Sequence, residues 1–244
     1  MKNLVEVKNL EKKYGSKEAV KGISFNIQKN EILGLLGPNG SGKTTTIGMM
    51  LGLLKPTNGE ILIDGKKIEE NRIETLKKIN FISPYIELPK KLTVKQNLIV
   101  YCKLYNVSNI KNRIEYLVEK LRLEDLLSRI TGELSSGQKN RVTLAKSLIN
   151  DPEILFLDEP TASLDPDIGD YVRGYIESYK LKNKITILLA SHNMTEVERL
   201  CDSIIMMKNG KIIDKGTCEE IIKKHGRSNL EETFLKLARS KDEI

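Results

Sequence analysis

One junction near the start of the chain constrains the fold more than any other feature. An apolar run from Glu31 to Leu36 stops at Gly37. The segment Gly37-Pro38-Asn39-Gly40-Ser41-Gly42-Lys43-Thr44 follows at once, and a helical pattern runs from Lys43 to Leu53. The spacing is G-x-x-x-x-G-K-[ST], and strand, loop and helix are the context this pattern requires. Glycines let the backbone curl until successive N–H groups converge on one point. The helix then aims its positive dipole end at the same place. The group that such a cradle collects is a phosphate. Lys43 would reach the β- and γ-phosphates of a nucleotide, and the Thr44 hydroxyl would ligate Mg²⁺. Gly37 to Thr45 is therefore the candidate nucleotide-phosphate loop.

The rest of the chain alternates strands with helices, which predicts an α/β fold whose mainly parallel sheet is covered on both faces. Leu4–Val7 and Ile23–Ile27 read as short half-exposed strands forming an antiparallel β edge. Ile61–Ile63 and Ile79–Ile82 are further short strands, and Thr93–Leu127 is mostly helical. Gly137–Asn150 reads as another helix, and Ile154–Leu157 and Ile185–Ala190 as central strands. Ser203–Met207 and Lys211–Asp214 flank an Asn-Gly pair, a β-hairpin signal. No Pro-, Gly- or Ser-rich linker divides the chain. The expected organisation is one domain: a core from residues 1–83 and 151–216, an inserted helical subdomain over 84–150, and a charged helical tail over 217–244.

Two more strand ends carry chemistry. Ile154 to Leu157 runs straight into Asp158 and Glu159. A core strand that ends in carboxylates must deliver them to a crevice, because burying them without partners is costly. In open α/β sheets the ligand crevice lies at the carboxyl ends of the strands. Asp158 is thus the candidate Mg²⁺ partner, and Glu159 the candidate general base for an attacking water. The run Ile185–Ala190 ends in Ser191-His192, so His192 is a candidate hydrogen-bond partner of a γ-phosphate and that water.

A guanine-specific N-K-x-D motif is missing, since Asn183-Lys184-Ile185-Thr186 lacks the aspartate. Leu134-Ser135-Ser136-Gly137-Gln138 lies ahead of the Asp158 strand, and here the chain resembles the ATP-binding subunit of ABC transporters, over roughly Leu4 to Gly216. Leu134–Gln138 is similar to the LSGGQ signature, with Ser136 in place of its first glycine. Ser135 with Gln138 also has the form of a helix capping box. Asp158 and Glu159 match the Walker B aspartate and catalytic glutamate, Ser163-Leu164-Asp165 resembles the D-loop, and His192 resembles the switch histidine. Tyr14 matches the aromatic residue that stacks on adenine.

The resemblance implies a P-loop, RecA-like core that binds ATP with Mg²⁺. Two such domains would pair head to tail, as a homodimer or with another ABC ATPase subunit. Each ATP would then lie between the phosphate loop of one copy and Ser135, Ser136, Gly137, Gln138 and Asp165 of the other. It also implies separate transmembrane permease subunits, docked near residues 84–105, where Tyr85, Tyr101 and Tyr105 are expected on the surface. Ser191-His192-Asn193-Met194 and the short tail are most similar to single-domain ABC-2 exporters. One family element departs: Pro84 stands where a glutamine usually aligns, leaving Ser83, Tyr85 or Glu87 as possible substitutes.

Composition bounds the alternatives. With 39% hydrophobic residues in 244, a sizeable core needs no disulfide framework, and Cys102, Cys201 and Cys218 are too scattered to build one. No apolar run approaches the ~20 residues that span a bilayer, and the first residues lack a signal-peptide core. The expected location is the cytoplasmic face of the membrane. The net charge of +7 comes from dispersed lysines, so no nucleic-acid partner is expected. The rival readings are a soluble ABC ATPase acting on ribosomes or DNA, and an ATP-dependent regulator without turnover.

Overall fold

The computed structural model describes residues 2–83 and 87–239. They divide into two compact units, one within Met1–Thr75 and Thr186–Ile244, the other within Leu76–Ile185. Helix α2 (Arg72–Lys77) straddles the division.

In the first unit, β1 (Asn3–Tyr14) and β2 (Lys17–Gln28) form an antiparallel hairpin of two twelve-residue strands. Both are longer than the apolar alternation at Leu4–Val7 and Ile23–Ile27 suggests. The extra length is polar and pairs by charge: Lys13 lies opposite Glu18, with an ion pair of 2.8 Å. β4 (Asn58–Ile63) pairs with β1, and the two-residue β5 (Lys66–Lys67) pairs with β4 through a turn whose Asp64 and Gly65 have φ of 51° and 77°. A short lysine edge of this kind discourages further strand pairing.

The same unit holds β3 (Ile32–Leu36), β8 (Thr186–Ala190), β9 (Ser203–Lys208) and β10 (Lys211–Gly216). β3 runs parallel to both β8 and β9. All five residues of β3 and of β8 are buried, as expected for strands covered on both faces. β9 and β10 form the expected hairpin, with Asn209 and Gly210 at φ of 48° and 80°. Positive φ at both turn residues matches the right-handed strand twist, which is why Asn-Gly marked it. Helices α1 (Lys43–Met50), α7 (Met194–Leu200), α8 (Cys218–His225) and α9 (Leu230–Arg239) complete the unit.

In the second unit, β6 (Ile79–Ile82) pairs in parallel with β7 (Ile154–Asp158). Four helices accompany them: α3 (Val94–Leu104), α4 (Ile110–Leu121), α5 (Ser136–Ser147) and α6 (Pro166–Asn183). Sequence reasoning does not single out α6, the longest. It starts on Pro166, where a missing N–H costs nothing, and buries Val172, Tyr175, Ile176 and Tyr179.

A buried lysine lies inside this unit. Lys146 of α5 is 6% exposed. Its ammonium donates to Phe81 O at 2.9 Å and Asn80 Oδ1 at 3.3 Å, and lies 4.6 Å and 5.5 Å from the ring centres of Phe81 and Tyr101. Burial alone pushes its pKa down from 10.5 to about 8.

Tyr101 and Tyr105 are half-buried rather than on the surface, and burial raises both phenols. Tyr101 turns inward because Lys146 needs its ring face. The exposed apolar residues of α3 are Val100 and Leu104, the latter at 69%. Pro84 and Tyr85 lie outside the described residues.

Candidate nucleotide-binding site

The glycine loop leaves β3 and enters α1 as the sequence requires. Gly37, Gly40 and Gly42 have φ of 158°, 81° and 105°, so the last two occupy backbone conformations that side chains resist. Gly42 is the N-cap of α1, no side chain caps the helix, and its first turn holds no acidic residue. The first helical bond runs from Thr46 N–H to Gly42 O at 2.9 Å. The N–H groups of Lys43, Thr44 and Thr45 therefore precede the helical ladder and open toward an anion.

Lys43 Nζ donates to Gly37 O at 2.5 Å and to Pro38 O at 3.3 Å, which holds its charge over the loop. Thr44 is exposed, and Thr45 is half-buried. Ser41 is buried, and its hydroxyl has no hydrogen-bond partner among the described residues. An unsatisfied buried hydroxyl within a ring of amides fits a site built for phosphate oxygens. The loop is also held from outside, because Gly210 N–H donates to Ser41 O at 3.1 Å. A Cβ on Gly42 would stand 2.7 Å from Ala19 O, so the loop fits closely on β2.

Two other expected residues lie in this unit. Tyr14 is 47% exposed at the end of β1, with Lys12 Nζ 5.2 Å from its ring centre. An exposed aromatic face is what a base needs for stacking. His192 is exposed just past β8. Its neighbours fix its backbone: Ser191 Oγ donates to Glu196 Oε2 at 2.6 Å and accepts from Asn193 N–H at 3.1 Å. Asn193 in turn caps α7 through Glu196 N–H.

The remaining candidates belong to the second unit. Asp158 closes β7 and is 8% exposed. At Glu159 the chain turns into the left-handed region, φ 56°, and it does so again at Ser163, φ 63°. Non-glycine residues held there cost on the order of 1–3 kcal/mol and cluster at functional sites. Asp158 and Glu159 line a cavity of about 220 Å³ together with Ser83, Glu87, Ser136 and Lys139. Of the three residues suggested in place of a glutamine, Ser83 and Glu87 thus reach the Walker B carboxylates' cavity. Glu87 is held by Lys90 at 2.6 Å.

The signature segment forms the capping box read from its sequence. Ser135 Oγ accepts from Gln138 N–H at 3.2 Å, and Gln138 Oε1 accepts from Ser135 N–H at 3.1 Å. Ser135 and Ser136 are exposed. Gly137 is required by a close approach: a Cβ there would lie 2.9 Å from Ser163 O. Asn140 Nδ2 ties the same loop to α5 through Ala162 O at 2.9 Å. Asp165 is exposed at the N-cap of α6, and its side chain makes no capping bond.

Sequence reasoning missed Gly210, Glu196 and Asn140. Each acts by a single hydrogen bond to a distant segment, which spacing does not reveal. Among the described residues no group of three or more His, Cys, Asp and Glu could hold a metal by itself. That suits Mg²⁺, which keeps several waters and takes one or two protein ligands beside substrate phosphates.

The comparisons agree with this geometry. The ABC transporter family profile matches residues 20–162. The chain is 38% identical over 220 residues to the Nod factor export ATP-binding protein I of Burkholderia orbicola (strain AU 1054), covering 89% of this chain and 72% of that protein. Its fold is similar to a solved ATP-binding subunit of an ABC transporter, with TM-score 0.89, 29% identity, and coverage of 97% of this chain and 100% of that one. It is also similar to an ATP-binding cassette solved as a dimer in a post-hydrolysis state with ADP and Pi, with TM-score 0.81, 26% identity, and coverage of 87% and 98%. The chain belongs to the ABC transporter family, as its ATP-binding domain.

Proposed function

We propose that this chain is the ATP-hydrolysing subunit of an exporter, working as a pair of copies that closes on two ATP molecules and opens when they are cleaved. The observation that carries the reading is the uncapped start of α1 behind a left-handed glycine loop, with Lys43 folded over it. The Lys43, Thr44 and Thr45 amides and the Lys43 ammonium bind the phosphates. Tyr14 receives the adenine. Ser135, Ser136, Gly137, Gln138 and Asp165 serve the ATP held by the other copy.

Thr44 and Asp158 would hold Mg²⁺, which when bound offsets charge on the phosphate oxygens. Glu159 accepts a proton from water as the water oxygen bonds to the γ-phosphorus. The bond from that phosphorus to the β–γ bridging oxygen breaks, giving ADP and phosphate. His192 orients the same water. Interfacial ATP favours the closed pair because it touches both copies. No helix among the described residues is long and apolar enough to cross a membrane, so transport requires separate transmembrane subunits and places this chain at the cytoplasmic face. Export is favoured because the relative from Burkholderia orbicola is named for export.

Glu159→Gln tests the reading. Turnover should fall ~10²–10⁴-fold, the scale for losing a general base, while ATP still binds. Parental turnover in the variant would refute the assignment of the base.

A further inference from the structure

Helix α9 is unexplained by anything above. It follows the last strand, and nothing in the nucleotide chemistry requires it. Yet its apolar face joins the core directly behind the phosphate loop. Leu230 of α9 shares a buried cluster with Leu36, the last residue before Gly37, and with Met206 of β9 and Val197 of α7; Leu237 packs against that cluster. Phe234, Leu237 and Ala238 face Gly37, Pro38 and Met207 across a cavity of only about 10 Å³. That gap holds one water at most, so the helix and the loop are nearly in contact.

Polar ties fix the helix at both ends. Leu230 N–H donates to Glu198 Oε1 of α7 at 3.0 Å. Lys208 Nζ donates to Leu237 O at 3.3 Å. Lys208 adjoins the hairpin turn whose Gly210 holds Ser41. Through α7 the helix also supports the Ser191–Glu196–Asn193 bonds that set the backbone at His192.

We propose that α9 is a positioning element for the ATP site and that Phe234 is its positioning residue for the phosphate loop. A glycine loop loses much conformational freedom when it wraps phosphate. A buttress behind Gly37 and Pro38 restricts the loop beforehand, so less ordering is left for ATP to impose. The inference rests on the assignment of ATP to this loop.

The test is equilibrium ATP affinity of the full chain, measured by calorimetry, for the parent, Phe234→Ala and Leu235→Ala. Leu235 is 40% exposed on the same helix. Phe234→Ala should weaken ATP binding about five- to tenfold, with kcat at saturating ATP within twofold of the parent. Leu235→Ala should bind as the parent does. A merely structural role would lower the fraction of binding-competent protein and leave Kd unchanged, which overturns the proposal. Equal weakening in both variants also overturns it. If Phe234→Ala does not fold, Phe234→Leu decides: a loss of twofold or more supports the proposal, and parental affinity refutes it. Failure of the parent to bind ATP would sink the loop assignment as well, whereas binding by the parent with an unchanged variant sinks this inference alone.

Discussion

Lys146 allows a quantitative test of how the second unit is built. Its ammonium is buried without a carboxylate, held by Phe81 O, Asn80 Oδ1 and two aromatic faces. Burial lowers its pKa from 10.5 to about 8, which is worth about 3 kcal/mol in total. Between those values the unfolded chain keeps a proton that the folded chain has released. Stability must therefore rise with pH across that window. Lys146→Met removes the titration and imposes a constant offset for the lost hydrogen bonds. The parent should gain about 2 kcal/mol relative to Lys146→Met between pH 7 and pH 10. Urea denaturation of both proteins at pH 7, 8, 9 and 10 measures this directly, because all other titrations are common to the pair. Parallel stability curves would refute the reasoning: the ammonium would then be hydrated rather than buried.

Three other perturbations test separate parts of the account. Lys43→Ala should weaken ATP binding about 10- to 100-fold, the scale of a lost charged hydrogen bond; calorimetry giving parental affinity would contradict its phosphate role. Gly137→Ala places a Cβ 2.9 Å from Ser163 O, and thermal denaturation should show a loss of about 1–3 kcal/mol, as for other overpacked sites; an unchanged midpoint would mean the loop simply yields. Asp214 is buried in β10, which raises its carboxyl, but hydrogen bonds from Lys224, His225 and Lys215 N–H outweigh that and hold its pKa below the ordinary 3.8. Its stabilising bonds are present above that value and lost as pH falls through the lowered one, so Asp214→Asn should cost about 1–2 kcal/mol at pH 7, with the gap to the parent closing below about pH 4. A gap that persists in acid would exclude the charge as its source.

Much of this was legible in the sequence because the informative residues are local. Gly37 to Thr44 specify a curled loop by their own backbone freedom, and β3 and β8 declare themselves by uninterrupted apolar runs. Asn209-Gly210 fixes a hairpin for the same reason. What escaped the sequence depends on partners far away in the chain. The polar ends of β1 and β2 are strands only because they face each other, Lys13 to Glu18. α6 hides its stripe in tyrosines, Tyr171, Tyr175 and Tyr179, whose hydroxyls weaken any apolar signal. Tyr101 was expected on the surface because nothing local announces the lysine, 45 residues further along the chain, that draws it inward. The contact of α9 with the phosphate loop joins residues nearly 200 apart in sequence.

The central claim is that two copies share their ATP, the loop of one meeting Ser135 and Gly137 of the other. Sedimentation of Glu159→Gln with saturating Mg-ATP tests it most directly, since the trapped state cannot resolve by cleavage. The account predicts a species of twice the 27.6 kDa chain mass that reverts to single chains when ATP is removed. A variant that binds ATP fully yet sediments as one chain would contradict it.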